Sequence, residues 1–361
     1  MRVRVATLNA WALPPPLGQD VAFRMRSIGE ELRRLDVDVM AFQEVWTAAA
    51  RALLVEAGRR AGFRESWQPS AWVGGGGLLV LSRWPIERAA FETFDLRGHA
   101  ERVELGEYVS GKGFVALRIG LPAARLLLVD THLHARYNHD APHRYRPHRV
   151  AQLSQVVTAL VRTADPVILT GDLNFAEGDP EYLVLCGLTG VRDVAAALDH
   201  REPTVLNTNP YRPEMVLPSR RIDFVFLRDG ATRGLVPRSV RRVFDQSLEL
   251  DDGPRAYSDH AGVLAELEVG PPTAPAPPPA RGRRGAGPLT PRSRTAGAGA
   301  RPGPDAHSIY LPRREAAAVA VDPASGVREV EPEKDARPPP SGPRSGIVER
   351  RSTCVVPLRT R

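Results

Sequence analysis

The chain has 361 residues, with 49 Lys+Arg against 42 Asp+Glu and two cysteines. That length suits one domain of about 250 residues plus an appendage. Two cysteines exclude a disulfide framework, and no run reaches the roughly eighteen consecutive apolar residues of a membrane-spanning helix.

Charge and proline divide the chain at one place. Residues 271–361 hold 18 of the 34 prolines and 16 Lys+Arg against 8 Asp+Glu, which puts this stretch at +8 and residues 1–270 at −1. The expected organisation is a catalytic-sized body, 1–270, followed by a disordered, Pro/Gly/Arg-rich basic tail, 271–361. Such a tail cannot bury enough apolar surface to offset its chain entropy. A basic arm can hold anionic lipid or nucleic acid loosely, though a merely solvated Arg-rich tail is the simpler reading. At the other end, Val3 and Val5 alternate with Arg2 and Arg4, so strand patterning begins at once and leaves no room for a secretory signal. The expectation is a monomeric cytoplasmic protein, exported only if the start site is misassigned.

The first strand runs through Val3, Val5 and Thr7 to Leu8 and Asn9 and breaks at Trp11 and three prolines. After Asp20, a candidate N-cap, Phe23, Ile28, Leu32 and Leu35 approximate a helical stripe. A second buried strand over 37–42 delivers Gln43 and Glu44 to its end. A carboxylate after a continuous apolar run costs free energy unless it finds a partner or a metal; a solvated strand terminus is the alternative. A helix over about 47–61 follows, then strands at 78–82, 114–119 and 126–131. Between them, 106–113 has the spacing of a nucleotide phosphate loop. However, Gly113 replaces the magnesium-holding Ser/Thr, and a strand rather than a helix follows. Lys112 therefore either meets a phosphate or sits on a flexible surface hairpin.

The strand 126–131 ends in His132-Leu133-His134, and His139, His143 and His148 follow. A zinc motif of the form His-x-His-x-Asp-His would need Asp at Arg136 and His at Tyr137, so the match stops after two residues, and an arginine among the ligands opposes a dication. By alternation His132 and His134 point the same way, and the other three read as surface histidines. A helix over 148–163, with Val150, Leu153, Val157 and Leu160 on one stripe, leads into Val167, Ile168 and Leu169, a short core strand. At its end Asp172 and Asn174 share one side while Leu173 turns to the core; an Asx turn is the plain structural explanation. After a short helix near 180–185 and a polar loop with Asn207 and Asn209, the strand 221–226 contains Asp223, a carboxylate that needs a partner. The last body strand opens with Tyr257-Ser258-Asp259-His260. Asp beside His, with a strand carboxylate just upstream, suits an oriented general base.

The ordered set Leu8-Asn9, Gln43-Glu44-Val45, Thr131-His132-Leu133, Gly171-Asp172-Leu173-Asn174, Arg221-Ile222-Asp223 and Ser258-Asp259-His260 resembles the endonuclease/exonuclease/phosphatase superfamily. Ser110-Gly111-Lys112-Gly113, the run from Thr131 to Asn138, and His148-Arg149-Val150-Ala151-Gln152 are similar to the neutral sphingomyelinases. The membrane-spanning C-terminus of animal relatives and the signal peptide of secreted bacterial ones are not found. The resemblance implies an α/β fold, a four-layer sandwich of two mixed β-sheets flanked by helices. It also implies that Glu44 binds a catalytic Mg²⁺, with Asn9 nearby and Asp259 as a further metal or water ligand. One or two ions are compatible with this set, and Mn²⁺ could replace Mg²⁺. Asp172 and Asn174 would position water and phosphate, and His132 would stabilise charge on the phosphoryl oxygens. Asp223 would orient His260, the base, while Lys112, Asn174 and His134 would contact substrate. The implied activity is Mg²⁺-dependent hydrolysis of sphingomyelin or a related phospholipid, with peripheral membrane contact. A nuclease or phosphoinositide phosphatase on the same scaffold, or an idle binding module tethered by its tail, are the other readings. The near-neutral body argues against nucleic acid, whose phosphate backbone calls for a basic face.

Overall fold

A computed structural model of the chain describes residues 1–69, 75–102, 106–122, 124–137, 144–212, 218–271 and 355–357. Its central strands are apolar on both faces, a pattern that requires a sheet covered on two sides. In β2 (Val39–Val45), Val39 and Ala41 face one way and Met40 and Phe42 the other, and all four are fully buried.

Two sheets result. The first has seven strands in the order β11 (Gly234–Val243), β14 (Gly262–Gly270), β1 (Arg2–Ala12), β2, β4 (Leu79–Ser82), β3 (Glu65–Trp67) and β15 (Val355–Pro357). The second has six, ordered β5 (Ile86–Thr93), β6 (Gly113–Leu121), β7 (Ala124–His132), β8 (Val167–Asp172), β10 (Asp223–Arg228) and β9 (Arg192–Asp193). The strands β12 (Leu248–Leu250) and β13 (Gly253–Arg255) form a separate ribbon. Both large sheets are mixed, with β1–β2 and β7–β8 parallel and their other pairs antiparallel.

Three apolar layers hold four structural layers together. Between the sheets, Val5, Ala41 and Val80 meet Leu117, Ile168 and Val225. Outside the first sheet, α1 (Val21–Arg34) and α2 (Ala48–Arg60) bury Met25, Ile28, Leu32 and Leu54 against Leu8 and Phe42. Outside the second, α3 (Arg146–Val161) and α4 (Pro180–Thr189) bury Leu153, Val156, Leu160 and Leu185 against Leu169 and Phe226. This is the expected α/β sandwich of two mixed sheets flanked by helices.

Several local expectations shift. Asp20 precedes α1, but its side chain makes no capping bond. On α3 Val156 joins the core stripe, with Val157 only partly buried against it, and Val150 is 37% exposed. The face is turned by Arg149, whose guanidinium donates to Glu181 Oε1 on α4 at 2.9 and 3.0 Å. First-strand pairing resumes at Ala12 instead of ending at Asn9, with a register shift between them and Trp11 at φ +46°. The tail reading, like His139 and His143, concerns residues outside the described ones, save Val355–Pro357. That segment pairs antiparallel with β3, so not everything downstream of residue 270 is separate from the sheet. Among the described residues no helix is long and apolar enough to cross a membrane.

Candidate active site

The polar strand ends gather where the two parallel pairs finish. His132 and Asp172 are in register across β7–β8, and Asp172 faces Asp223 across β8–β10. The approach depends on Gly171, at φ +138°, where a Cβ would lie 1.9 Å from the carbonyl oxygen of Thr131. Only glycine tolerates both demands. Beneath the site, Gln43 Nε2 on one sheet donates to Asp130 Oδ1 on the other at 2.8 Å, and Thr170 Oγ1 donates to the same oxygen at 2.8 Å. Burial raises the Asp130 carboxyl well above its ordinary pKa despite these bonds. Gln43 therefore joins the sheets.

Asn9 Nδ2 donates to Glu44 Oε1 at 2.9 Å and to Asp172 Oδ2 at 3.0 Å, while its Oδ1 accepts from Trp11 N at 3.0 Å. Asn9 thus presents an amide nitrogen, and no oxygen, to the two carboxylates. Burial first, then the charge of Asp259, raises the Glu44 pKa. Burial first, then Asp223, raises that of Asp172 to about 7. Two carboxylates held together with too little positive charge are a donor set that suits a hard cation. Asn174 N donates to Asp172 Oδ1 at 3.0 Å and its Nδ2 to the carbonyl of Leu133 at 3.1 Å. Glu44 and Asn174 both adopt left-handed backbone, at φ +58° and +52°.

On one side of this centre, Asp223 Oδ2 accepts from His260 Nδ1 at 2.9 Å and from Thr204 Oγ1 at 2.5 Å. His260 Nε2 stands 3.9 Å from Asp172 Oδ2. Burial pulls the imidazole pKa down, but Asp223, Asp259 and Asp172 outweigh it and lift it to about 10. Asp259 itself is held by Arg212, whose Nε donates to Oδ2 at 3.0 Å. Ser258 Oγ donates to the carbonyl of Asn9 at 2.6 Å and so pins this segment to β1. Single ligand atoms of Asp172, Asp223 and His260 all come within 4.8 Å of one another, a candidate cation seat.

On the other side, Lys112 Nζ donates to Glu107 Oε1 at 2.8 Å and to the carbonyl of Leu133 at 3.3 Å, and lies 3.1 Å from His132 Nε2. His132 Nε2 is 3.6 Å from Asp172 Oδ2. Burial, then the charges of Lys112 and His260, lowers the His132 pKa well below 6.5, so this imidazole is neutral. The cleft between the two sides encloses about 570 Å³, with an apolar lip that includes Trp11, Leu13, Pro14, Trp46 and Val109.

A model of the endonuclease/exonuclease/phosphatase family matches residues 6–260, the stretch that contains every group just described. The chain belongs to that family.

Within the endonuclease/exonuclease/phosphatase family it is similar to a Caenorhabditis elegans protein that bears a neutral sphingomyelinase name, 34% identical over 300 residues, 74% of this chain and 67% of that one. Human sphingomyelin phosphodiesterase 2 is 31% identical over 204 residues, 54% of this chain and 46% of that one. The chain thus spans about half to two thirds of these relatives. A Staphylococcus aureus beta toxin variant with bound magnesium ions shares the fold at TM-score 0.58 and 16% identity, with 73% of this chain and 99% of that one covered.

Measured against the motifs of this family, the structure brings Asn9, Glu44, Lys112, His132, Asp172, Asn174, Asp223, Asp259 and His260 into or around one cleft. His134, expected among the substrate contacts, is not in its lining. It is buried with its ring stacked on Tyr145, centroids 4.4 Å apart. Strand β7 ends at His132, so the alternation that paired the two histidines no longer applies. His148, read as a surface residue, is buried with its ring 5.0 Å from that of His134. Lys112 is buried rather than on a free hairpin. Sequence reasoning missed Glu107, which also accepts from Ala135 N at 3.0 Å and Tyr137 Oη at 3.2 Å. Its one signal was an acidic residue five positions before Lys112.

Proposed function

We propose that this chain is a Mg²⁺-dependent phosphodiesterase that cleaves sphingomyelin or a related phospholipid to ceramide, or the lipid alcohol, and a phosphorylated head group. The observation that carries this reading is the 2.9 Å bond from His260 to Asp223, with the free imidazole nitrogen turned toward Asp172 across from Lys112 and His132. Asp223 accepts the Nδ1 proton and so leaves Nε2 as the nitrogen that takes a proton from water. Asp172 and Asn174 hold that water and the phosphate, and Lys112 and His132 meet the non-bridging oxygens. Water attacks phosphorus, the bond to the lipid alcohol breaks, and the proton taken by His260 returns through solvent to the departing alkoxide.

Glu44 and Asp172 are the residues that would hold the ion; Asp259, expected as a further ligand, is engaged by Arg212 instead. A cation between Asp172 and Asp223 would instead compete with the bonds that Asp223 already accepts from His260 and Thr204. When bound, Mg²⁺ supplies charge that offsets the phosphoryl oxygens and disfavours a proton on His260. The orientation of Asn9 makes it a spacer of the two carboxylates. The family relatives named for sphingomyelin and the magnesium in the beta toxin agree with this assignment. The apolar lip suits entry of a lipid from a bilayer surface.

Purified protein should hydrolyse sphingomyelin vesicles with Mg²⁺ and lose this activity in EDTA, and should leave plasmid DNA intact. Mg²⁺-dependent nicking of DNA without lipid hydrolysis would overturn the proposal in favour of a nuclease.

A further inference from the structure

Four cationic side chains line the cleft, Lys112, Arg136, Arg212 and Arg220. Two are closely engaged, Lys112 by Glu107 at 2.8 Å and Arg212 by Asp259 at 3.0 Å, while Arg136 meets Asp179 only at 3.5 Å. Arg220 makes no ion pair among the described residues, and its buried Nε has no hydrogen-bond partner. Its neighbour shows what a structural arginine does here: Arg221 bridges Glu177 at 2.6 Å and Asp193 at 2.8 Å and covers the ring of Phe224 at 4.6 Å.

Arg220 is also fixed in place. Its backbone forms a two-way bridge with Val205, N to O at 2.9 Å and 2.8 Å, three residues before Asp223. Burial, then the nearby charges of Arg136 and Arg212, lowers its pKa against the smaller opposing pull of Asp172 and Asp179, neither of which pairs with it. A guanidinium crowded by like charges and short of acceptors is stabilised by an anion, and its planar donors suit a phosphate or carboxylate. The acidic residues that line the cleft are already committed, Glu107 to Lys112, Asp259 to Arg212, and Glu44 with Asp172 to the cation. A quaternary ammonium, by contrast, wants aromatic faces rather than guanidinium groups.

We propose that Arg220, with Arg136, forms a subsite for a second anionic group on the substrate, so that the preferred phospholipid has a head group with a negative charge of its own. The proposal rests on the phosphodiesterase reading for the position of the first phosphate. The second anion is a phosphate or a carboxylate.

Calorimetric titration of the full chain in Mg²⁺ tests it, with phosphocholine, inositol 1,4-bisphosphate and phosphoserine as probes. The bisphosphate should bind at least about tenfold more tightly than phosphocholine. Phosphoserine shows whether a carboxylate serves as well as a second phosphate. In R220Q that preference should collapse toward parity, while R220K retains part of it. R136Q reads the same ratio from the other arginine should R220Q fold poorly. Parity in the wild type, or an unchanged ratio in both R220Q and R136Q, would overturn the subsite. If the ratio falls as expected but vesicles of neither head-group type are hydrolysed, the subsite stands and the phospholipid reading falls.

Discussion

His260 and His132 occupy opposite sides of one cleft, both buried and both close to Asp172, yet their protonation is driven in opposite directions. His260 faces Asp223, Asp259 and Asp172, and its pKa rises to about 10. His132 faces Lys112, and its pKa falls well below 6.5. Burial opposes the charged form of each, so the neighbours decide the difference. In the proposed mechanism one imidazole would hold a proton until a cation disfavours it, whereas the other would stay neutral beside the phosphate. Two identical side chains acquire opposite protonation tendencies from environment alone, the general way in which one site can run acid and base chemistry.

The largest test of that contrast removes the cation. Glu44→Gln keeps the volume but removes a charged ligand, and Mg²⁺-dependent turnover should disappear while the circular dichroism spectrum is retained. Wild-type turnover in that variant would remove Glu44 from the metal site.

Next comes the His260 side itself. His260→Ala and Asp223→Asn should each lower kcat by about 10²-fold or more. The double variant should be little worse than His260→Ala, because residues that act as a unit are not additive. Multiplicative losses would separate the pair and leave Asp259 as the partner.

On the other side, Lys112→Met removes the charge that depresses His132. The His132 pKa should rise toward 6.5 in an NMR titration, with kcat reduced by about tenfold, the scale of one charge-assisted hydrogen bond. A flat titration would show that burial alone keeps His132 neutral.

The smallest effect is on stability. The folded pKa of His260 lies above its ordinary 6.5, so its contribution is fully present below about pH 6.5 and is lost as pH rises toward about 10. Metal-free protein should therefore melt at a lower temperature at pH 9.5 than at pH 6.5, and Asp223→Asn should flatten that dependence. An unchanged slope in the variant would mean that Asp223 does not set the His260 charge.

Most of the floor of the cleft was legible because it obeys a local rule. Glu44, Asp172 and Asn174 each follow an apolar run that can only be a buried strand, and Asp223 stands out as a carboxylate inside one. The walls follow no such rule. Glu107 lies in a Gly-bounded polar loop, and only its long-range bonds to Ala135 N and Tyr137 Oη show that it is interior. Arg220 and Arg221 are adjacent and chemically identical, and nothing local tells which one meets Glu177 and which one faces the cleft. His134 was misplaced because alternation was carried past the strand's last residue.

The left-handed backbone of Glu44, at φ +58°, has an evolutionary corollary. For a residue with a Cβ, that conformation costs on the order of 1–3 kcal/mol, and an under-compensated, largely buried carboxylate adds to it. Selection for folding alone would erase Glu44 early, since glycine relieves both penalties at once. A homologue that keeps the sandwich but carries glycine at this position should be hydrolytically silent and harder to melt than its active relatives.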